Sequence, residues 1–242
     1  AFEKLQCASQ TYKLPKNIDE AEILDLIDKL NSDIDVHGIL VQLPLPKHLD
    51  SQKILHSVHP DKDVDGFHPY NLGSLLSGCP KYIPCTPSGV LEIMKYYNIS
   101  TAGRHVVIVG RSNIVGKPLF ALLAQKFEMG NATVTICHTG TKDIRQHTIE
   151  ADIIIAAAGC PEMIVGNMVK EGVDIIDVGI NRISDNSDKG YRLVGDVDMQ
   201  SVIGIANSIT PVPGGVGPMT IIMLLFNTVL SAEKCRKLEA IA

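Results

Sequence analysis

The chain has 242 residues, 45% of them hydrophobic and 20% charged, which is ordinary for a soluble globular protein with a substantial core. Its net charge is -5, and its scattered lysines and arginines form no basic stripe of the kind that binds nucleic acid. Its longest apolar run, Ile221–Phe226, is shorter than a membrane span and predicts a buried helix. We therefore expect a small-molecule ligand, with no nucleic acid and no membrane as partner.

The cysteines and histidines show no metal-binding spacing. The sequence has 6 cysteines and 8 histidines, but no C-x-x-C pair and no H-E-x-x-H helix. This pattern favours reduced, mostly buried thiols in a cytoplasmic protein without a metal site.

The first part of the chain predicts a small α/β domain. AFEKLQCASQ is typical of a helix end, and Gln10–Leu14 of a short strand. Asn17 or Asp19 is placed to cap a helix. The apolar stripe of that helix has helical spacing and consists of Ile23, Ile27 and Leu30.

Next come a predicted buried strand and a long irregular segment. Gly38–Leu43 is apolar throughout and is followed by two prolines that end the strand. Residues 47–57 predict a weak helix, and residues 61–87 predict an irregular stretch. A segment of that length without secondary structure is usually functional.

The remainder alternates strands and helices. Thr86 and Pro87 predict a helix start, and that helix runs to about Tyr97. Four β-branched runs follow, at 105–109, 133–137, 152–156 and 173–178. Because helical patterns separate them, we predict a parallel sheet with helices on both faces. A strongly apolar helix over residues 219–233 is expected to return to the first domain.

These patterns predict an α/β protein of two domains. A Rossmann-like parallel-sheet domain spans residues 87–210. A smaller α/β domain spans residues 1–86 and is completed by the C-terminal helix within residues 211–242.

VVIVGRSNIVGKP is placed like a dinucleotide-binding turn, after a strand and at the start of a helix. Gly110 permits a tight turn, Gly116 permits close packing, and Ser112 replaces the usual second glycine. A pyrophosphate would lie over the helix N-terminus. A plain strand-turn-helix without a ligand is the alternative.

The end of the second strand favours NADP over NAD. NAD-binding proteins usually carry an acid there for the ribose 2′-hydroxyl. Residues 137–142 contain none, while Arg111 lies in the first turn. A cation and a hydroxyl without a carboxylate suit a 2′-phosphate.

The smaller domain contributes polar candidates. Gln42 lies near the carboxyl end of the predicted strand, where an amide can orient a charged group or simply cap a loop. Asp63 and Asp65 flank a turn beside Lys62. They form a surface ion pair with that lysine or serve a turn, since Asp65–Gly66 is a good turn dipeptide, or they offer a carboxylate to the neighbouring N–H donors of a heterocycle such as a pterin.

PVPGGVGPMT combines glycines and prolines directly before the last helix. The glycines let backbone approach a flat ligand, and the prolines stiffen the loop. A ligand-binding loop is favoured over a flexible linker because a core helix follows at once.

Together these segments resemble the methylenetetrahydrofolate dehydrogenase/cyclohydrolase family in its bacterial, monofunctional-length form. The matching blocks occur in the family's order and cover nearly the whole chain. They are VQLPLP, DKDVDGFHPYN, PCTPSG, VGRSNIVGKP, ATVTICH, DVGIN, GDV and TPVPGGVGPMT.

The resemblance implies a cytoplasmic homodimer that oxidises 5,10-methylenetetrahydrofolate with NADP and hydrolyses the methenyl product to 10-formyltetrahydrofolate. It implies that Asp65 binds the pterin and that Gln42 supports the catalytic lysine. The implied substrate-binding residues are Val41, Gln42, Leu43, Asp65, Pro213, Gly214, Gly215, Val216 and Gly217. The implied cofactor-binding residues are Gly110, Arg111, Ser112, Ile114, Thr139 and Ile180, and no metal is expected.

One part of the family pattern falls before Ala1. The family's Tyr-x-x-x-Lys, which carries the lysine of the hydrolytic step, lies upstream of the segment that matches AFEKLQC. We therefore expect an N-terminally incomplete catalytic domain. The alternatives are a catalytically impaired fragment that binds folate and NADP, and an unrelated Rossmann dehydrogenase.

Overall fold

The protein was analysed as a computed structural model that describes Phe2, residues 7–186 and residues 189–239. The chain divides into two compact units, Ala1–Cys85 with Ile221–Ala242, and Thr86–Thr220. The predicted α/β class is confirmed by a parallel sheet with accompanying helices. The predicted helix end over AFEKLQC lies mostly outside the described residues.

The first unit is built from helices. They are α1 (Glu20–Ser32), α2 (Ser51–Ser57), α3 (Pro69–Leu76) and the larger part of α8 (Val216–Glu239). The predicted stripe on α1 packs inward, with Ile23 and Ile27 buried and Leu30 partly buried. The core that they share with the following segments also contains Ile39, Leu49, Ile54 and Val58.

Three expectations for this unit are wrong. Residues 10–14 form no strand and are exposed. Gly38–Leu43 is no buried strand, because its one pairing is an isolated parallel bridge between Ile39 and Asp63, and side chains beyond the bridge alternate towards solvent. The stretch expected to be irregular contains α3, with Pro69 in its first turn and the His68 ring accepting from Tyr70 N at 3.1 Å.

Helix α8 is longer than predicted and is anchored by polar side chains. The buried Asn227 donates to Val64 O at 2.8 Å and Ile83 O at 3.0 Å. Ser231 donates to two more carbonyls of the first unit.

The expectation of a buried apolar run on α8 holds only in part. Ile221, Ile222 and Phe226 are exposed, while Met223 between them is buried. Residues 216–236 form a stretch long and apolar enough to cross a membrane by length and composition alone, which the sequence analysis had not expected.

The second unit carries a five-stranded parallel sheet in the order β2-β1-β3-β4-β7. Its strands are β1 (His105–Val109), β2 (Thr133–Cys137), β3 (Ile153–Ala156), β4 (Asp174–Asp177) and β7 (Ser208–Ile209). The four predicted strands are confirmed, β1 and β2 at both bounds. Helices α4 (Cys85–Tyr96), α5 (Gly116–Leu123), α6 (Arg145–Thr148) and α7 (Met199–Val202) accompany them, and an antiparallel hairpin joins β5 (Asn181–Ser184) to β6 (Tyr191–Val194).

The strand order reverses beside β1, because the chain crosses from β2 over to β3 on its other side. Ligands of open α/β sheets bind at such a switch point, outside the carboxyl ends of the strands. Residues 211–220 belong to this unit, whereas the predicted boundary followed residue 210. Thr210 N continues the β7 pairing by donating to Ile175 O at 3.1 Å.

Candidate functional site

Gly110 forms the turn at the end of β1 and tolerates no side chain. Its φ of +134° lies outside the range usual for other residues, and a Cβ there would overlap the carbonyl oxygen of Ala157. A Cβ on Gly116 would overlap the carbonyl oxygen of Gly110 in the same way. The turn therefore presents bare backbone at the switch point, where a pyrophosphate could approach it closely.

Ser112 uses its hydroxyl to start α5. Its Oγ accepts from Val115 N at 3.1 Å and lies 3.5 Å from Gly116 N. The neighbouring Arg111 and Ile114 are exposed. The loop thus offers a cation, an apolar side chain and a serine hydroxyl on one accessible segment.

The loop after β2 is a self-bonded turn. Thr141 N donates to His138 O at 2.8 Å, His138 N donates to Thr141 Oγ1 at 2.9 Å, and Gly140 N lies 3.0 Å from His138 Nδ1. The turn leaves Thr139 exposed at its tip.

The strand register brings Arg111 and Thr139 to the same edge. Val109 pairs with Cys137 in the parallel ladder, and each candidate lies two residues beyond its member of that pair. A guanidinium and a hydroxyl therefore lie at the sheet edge where a Rossmann fold binds the adenosine ribose. The turn there carries no carboxylate.

The loops after β4 and β7 lie side by side. Ile180 is 60% exposed, and its Cδ1 would be 3.5 Å from a Cβ built on Gly217. Asp177 N donates to Thr210 Oγ1 at 2.8 Å and so ties the end of β4 to the start of the glycine-rich loop.

The glycine-rich loop itself is tightly folded. Its Val212–Pro213 peptide is cis and Gly214 has a φ of +103°. Pro213 and Gly214 are exposed, but the Val216 side chain is only 3% exposed. Val216 therefore packs inside the loop, and Pro213 and Gly214 are the residues open to a ligand.

In the first unit, the ion pair considered between Lys62 and its neighbouring acids does not form. Lys62 Nζ instead donates to Leu30 O at 2.9 Å and Asn31 O at 2.8 Å, and so satisfies the last carbonyls of α1. Asp63 is buried and accepts from Phe67 N, His68 N and the Asn71 amide. This leaves Asp65 as the acid whose carboxylate is not used to fold the segment.

Asp65 lies in an apolar setting. Burial, and after it the negative charge of Asp63, raise its pKa to about 6, although a hydrogen bond with the Cys85 thiol acts to lower it. Burial also raises the pKa of that thiol above its usual range. A carboxylate short of donors is suited to bind the N–H groups of a heterocycle.

Gln42 is exposed, and it follows the bridge between Ile39 and Asp63 along one segment as Asp65 does along the other. The parallel pairing of Ile39 with Asp63 sends both segments in one direction, and Gln42 and Asp65 follow this bridge. The Gln42 amide donates to Leu43 O at 3.1 Å, and the Leu43–Pro44 peptide is cis. The flanking Val41 and Leu43 are partly buried.

Sequence reasoning assigned no role to three buried polar residues that shape these loops, namely Asp177, Asp196 and Asn227. The signal in the sequence was a glycine close to each aspartate, Gly179 after Asp177 and Gly195 before Asp196. A Cβ on Gly195 would overlap the Asp177 carboxylate, and one on Gly179 would overlap that of Asp196. Within the described residues, no group of three or more His, Cys, Asp or Glu side chains is arranged to hold a metal ion.

Two family models match the chain in succession. Residues 1–65 match the catalytic domain of tetrahydrofolate dehydrogenase/cyclohydrolase, and residues 84–236 match its NAD(P)-binding domain. The chain belongs to the tetrahydrofolate dehydrogenase/cyclohydrolase family.

Individual family members are similar over most of their length. The bifunctional protein FolD of Syntrophus aciditrophicus is 53% identical over 237 residues, which cover 96% of this chain and 81% of that protein. The crystal structure of the bifunctional FolD of Campylobacter jejuni has a TM-score of 0.89 at 50% identity and covers 96% of this chain and 80% of its own. The FolD structure of Trypanosoma brucei, complexed with NADP and an inhibitor, has a TM-score of 0.90 at 37% identity over 96% and 79% of the two chains.

Proposed function

We propose that this family member oxidises 5,10-methylenetetrahydrofolate to methenyltetrahydrofolate with NADP and hydrolyses the product to 10-formyltetrahydrofolate. The observation that carries the proposal is the succession of both family domains on one chain. Folate binding is assigned to residues 1–86 with 211–242, and NADP binding to residues 87–210.

The residues at the sheet edge fit NADP. Gly110 and Gly116 leave backbone bare where a pyrophosphate needs close approach. Arg111 and Thr139 would bind the 2′-phosphate, and Ser112, Ile114 and Ile180 would complete the site. When bound, NADP would supply the hydride acceptor of the oxidation, so for that step the protein need only bind and orient the two reactants.

The residues of the folate site have distinct roles in this proposal. Asp65 accepts from the N–H edge of the pterin, and Gln42 orients a charged group of the hydrolytic step without neutralising it. Val41 and Leu43 hold the Gln42 backbone. Pro213, Gly214, Gly215, Val216 and Gly217 present a stiff backbone surface to the folate ring system.

The alternatives considered from the sequence are less well supported. A folate- and NADP-binding protein without catalysis is not favoured, because the relatives are bifunctional enzymes by name. An unrelated Rossmann dehydrogenase would not match the family's catalytic-domain model over residues 1–65.

We further propose a cytoplasmic homodimer that binds neither nucleic acid nor membranes and uses no metal. The net charge of -5 supports the absence of nucleic acid. The expectation of mostly buried thiols is wrong, because Cys85 and Cys137 are the buried ones while Cys79 and Cys160 are exposed. Helix α8 is then a helix of the folded domain, because Asn227 and Ser231 on it are buried and bonded to loop carbonyls.

The test is to mix the purified protein with methylenetetrahydrofolate and NADP and follow NADPH absorbance and formyl product. We expect both to form, with NADP preferred to NAD. Arg111→Ala should raise the KM for NADP about tenfold and leave that for NAD unchanged, because a charge-assisted phosphate contact is lost.

Lys117→Ala is the matched control, since Lys117 is also exposed but pairs with Asn113. Wild-type protein that forms no NADPH would refute the dehydrogenase activity, and NADPH without formyl product would refute the hydrolysis.

A further inference from the structure

Two buried acids lie beneath the loops after β3 and β4. Asp196 is 0% exposed and accepts from Ala158 N at 2.6 Å and Gly159 N at 2.9 Å through one carboxylate oxygen. Its other oxygen accepts from the Asn181 amide at 2.8 Å. One side chain therefore joins the loop that follows β3 to the residue after Ile180.

Asp177 continues this network from the end of β4. It accepts from Gly179 N at 2.9 Å, Asp196 N at 3.0 Å and Val197 N at 2.9 Å. Burial raises the pKa of Asp177 to about 6 despite these backbone donors. Two buried carboxylates thus hold these loops by accepting hydrogen bonds from their backbone N–H groups and from the Asn181 amide.

The held loops belong to one half of the dinucleotide site. In a doubly wound sheet each half binds one mononucleotide, and Arg111 and Thr139 place the adenosine half at β1 and β2. The loops after β3 and β4 then face the nicotinamide nucleotide. Ile180 lies between Gly179 and Asn181, and both of these residues are fixed by the acids.

We propose that Asp196, supported by Asp177, is a positioning residue that holds the nicotinamide half of the cofactor site in its binding conformation. The proposal rests on the NADP binding proposed above. Asp196 touches no cofactor and acts through the backbone of Ala158 and Gly159 and through Asn181.

Asp196→Asn is the informative variant because it keeps the shape and removes acceptors. An asparagine amide group would face N–H donors on at least one side, so one of the two loops loses its attachment. The adenosine half has no bond to Asp196 and should be unaffected.

The experiment measures binding of NADP and of adenosine 2′,5′-bisphosphate, which carries only the adenosine half, by calorimetry without folate. For Asp196→Asn we expect the Kd for NADP to rise about tenfold or more and the Kd for the bisphosphate to stay within about twofold. Activity should show a raised KM for NADP in parallel.

Asp174→Asn is the matched control. Asp174 is buried at the start of β4, the strand that ends at Asp177, where it accepts from Asn207, Ser208 and Arg104. Its loss should lower stability and leave both Kd values unchanged.

Two outcomes would overturn the proposal, namely equal weakening of both ligands and no change in either. If Asp196→Asn does not fold, Asn181→Ala removes the bonds that the Asn181 amide donates to Asp196 and to Gly195 O, and it should weaken NADP alone, by a smaller factor. Wild-type protein that binds neither ligand would instead refute the proposed cofactor.

Discussion

At the scale of single residues, two aspartates two positions apart have different tasks because their surroundings differ. Asp63 is surrounded by backbone and amide donors that its own turn supplies. Asp65 has a thiol and an apolar setting, which leaves its carboxylate short of donors. The sequence marked both acids, but only the hydrogen bonds separate the structural one from the candidate ligand.

The raised pKa of Asp65 predicts a pH dependence of the dehydrogenase reaction. If the ionised carboxylate binds the pterin, kcat/KM for methylenetetrahydrofolate should fall as the pH drops through about 6. Asp65→Asn should have a lower kcat/KM that no longer varies in this range. If kcat/KM of Asp65→Asn still fell as the pH drops through about 6, another group would be responsible for the pH dependence.

The raised pKa of Asp65 also makes the stability of the protein depend on pH. A carboxyl whose pKa is raised in the folded state contributes stability below its unfolded pKa of 3.8, and this contribution is lost as the pH rises through about 6. At pH 7.5 the free energy of unfolding of Asp65→Asn should therefore exceed that of wild type by about 2 kcal/mol in denaturant titrations. At pH 4 the two free energies of unfolding should be equal. Asp177 titrates over the same range and remains in both proteins, so it cancels from the comparison.

Glycine positions give a third prediction at this scale. Gly110→Ala should lower the free energy of unfolding by about 3 kcal/mol or more, because strain adds to the overlap with Ala157 O. Gly103 also has a positive φ, of +74°, but nothing lies within 4 Å of its Cβ position. Gly103→Ala should therefore cost only about 1 kcal/mol in urea unfolding, and equal losses would contradict the overlap argument.

At the scale of elements, the sheet was predictable, whereas the first unit was predictable only for its helices α1 and α2. The runs 105–109 and 133–137 are strands at those bounds. β1 is a central strand covered on both faces, so its continuous β-branched run identifies it. β2 lies at the sheet edge and is only partly buried, and its β-branched composition identifies it. Residues 38–43 have a similar composition but form only one bridge, since strand formation also requires a partner that local sequence does not reveal.

Helix α3 was missed for a different reason. Its N-cap is His68, which is not among the usual capping residues, and only Pro69 indicated the start. The roles of Asp177, Asp196 and Asn227 were likewise hidden, because their partners lie far away in sequence.

The anchoring of α8 gives a prediction at the element scale. Asn227→Leu should destabilise the protein by about 3 kcal/mol, because it leaves the carbonyls of Val64 and Ile83 buried without this donor. Thr228→Val is the control, since Thr228 donates only to Leu224 O of its own helix, and it should cost less than about 1 kcal/mol. Similar losses for the two variants in urea unfolding would argue against the anchor.

At the scale of the whole molecule, the two compact units give a prediction about where a nucleotide acts. Adenosine 2′,5′-bisphosphate at 100 times its Kd should stabilise the folded state that binds it by about 2.7 kcal/mol. Hydrogen exchange followed by mass spectrometry should show slower exchange in residues 105–123 and 133–141, and little change in α1 and α2. Protection centred on α1 and α2 would contradict the assignment of the nucleotide to the second unit.

The self-bonded turn from His138 to Thr141 bears on how cofactor preference can change in evolution. Its hydrogen bonds involve the backbone and the side chains of its end residues, while the tip residue Thr139 contributes none of them. The tip can therefore accept a different side chain without unfolding the turn. A lineage that exchanged this hydroxyl for a carboxylate could move towards the unphosphorylated dinucleotide in a single substitution, with the scaffold that presents it left intact.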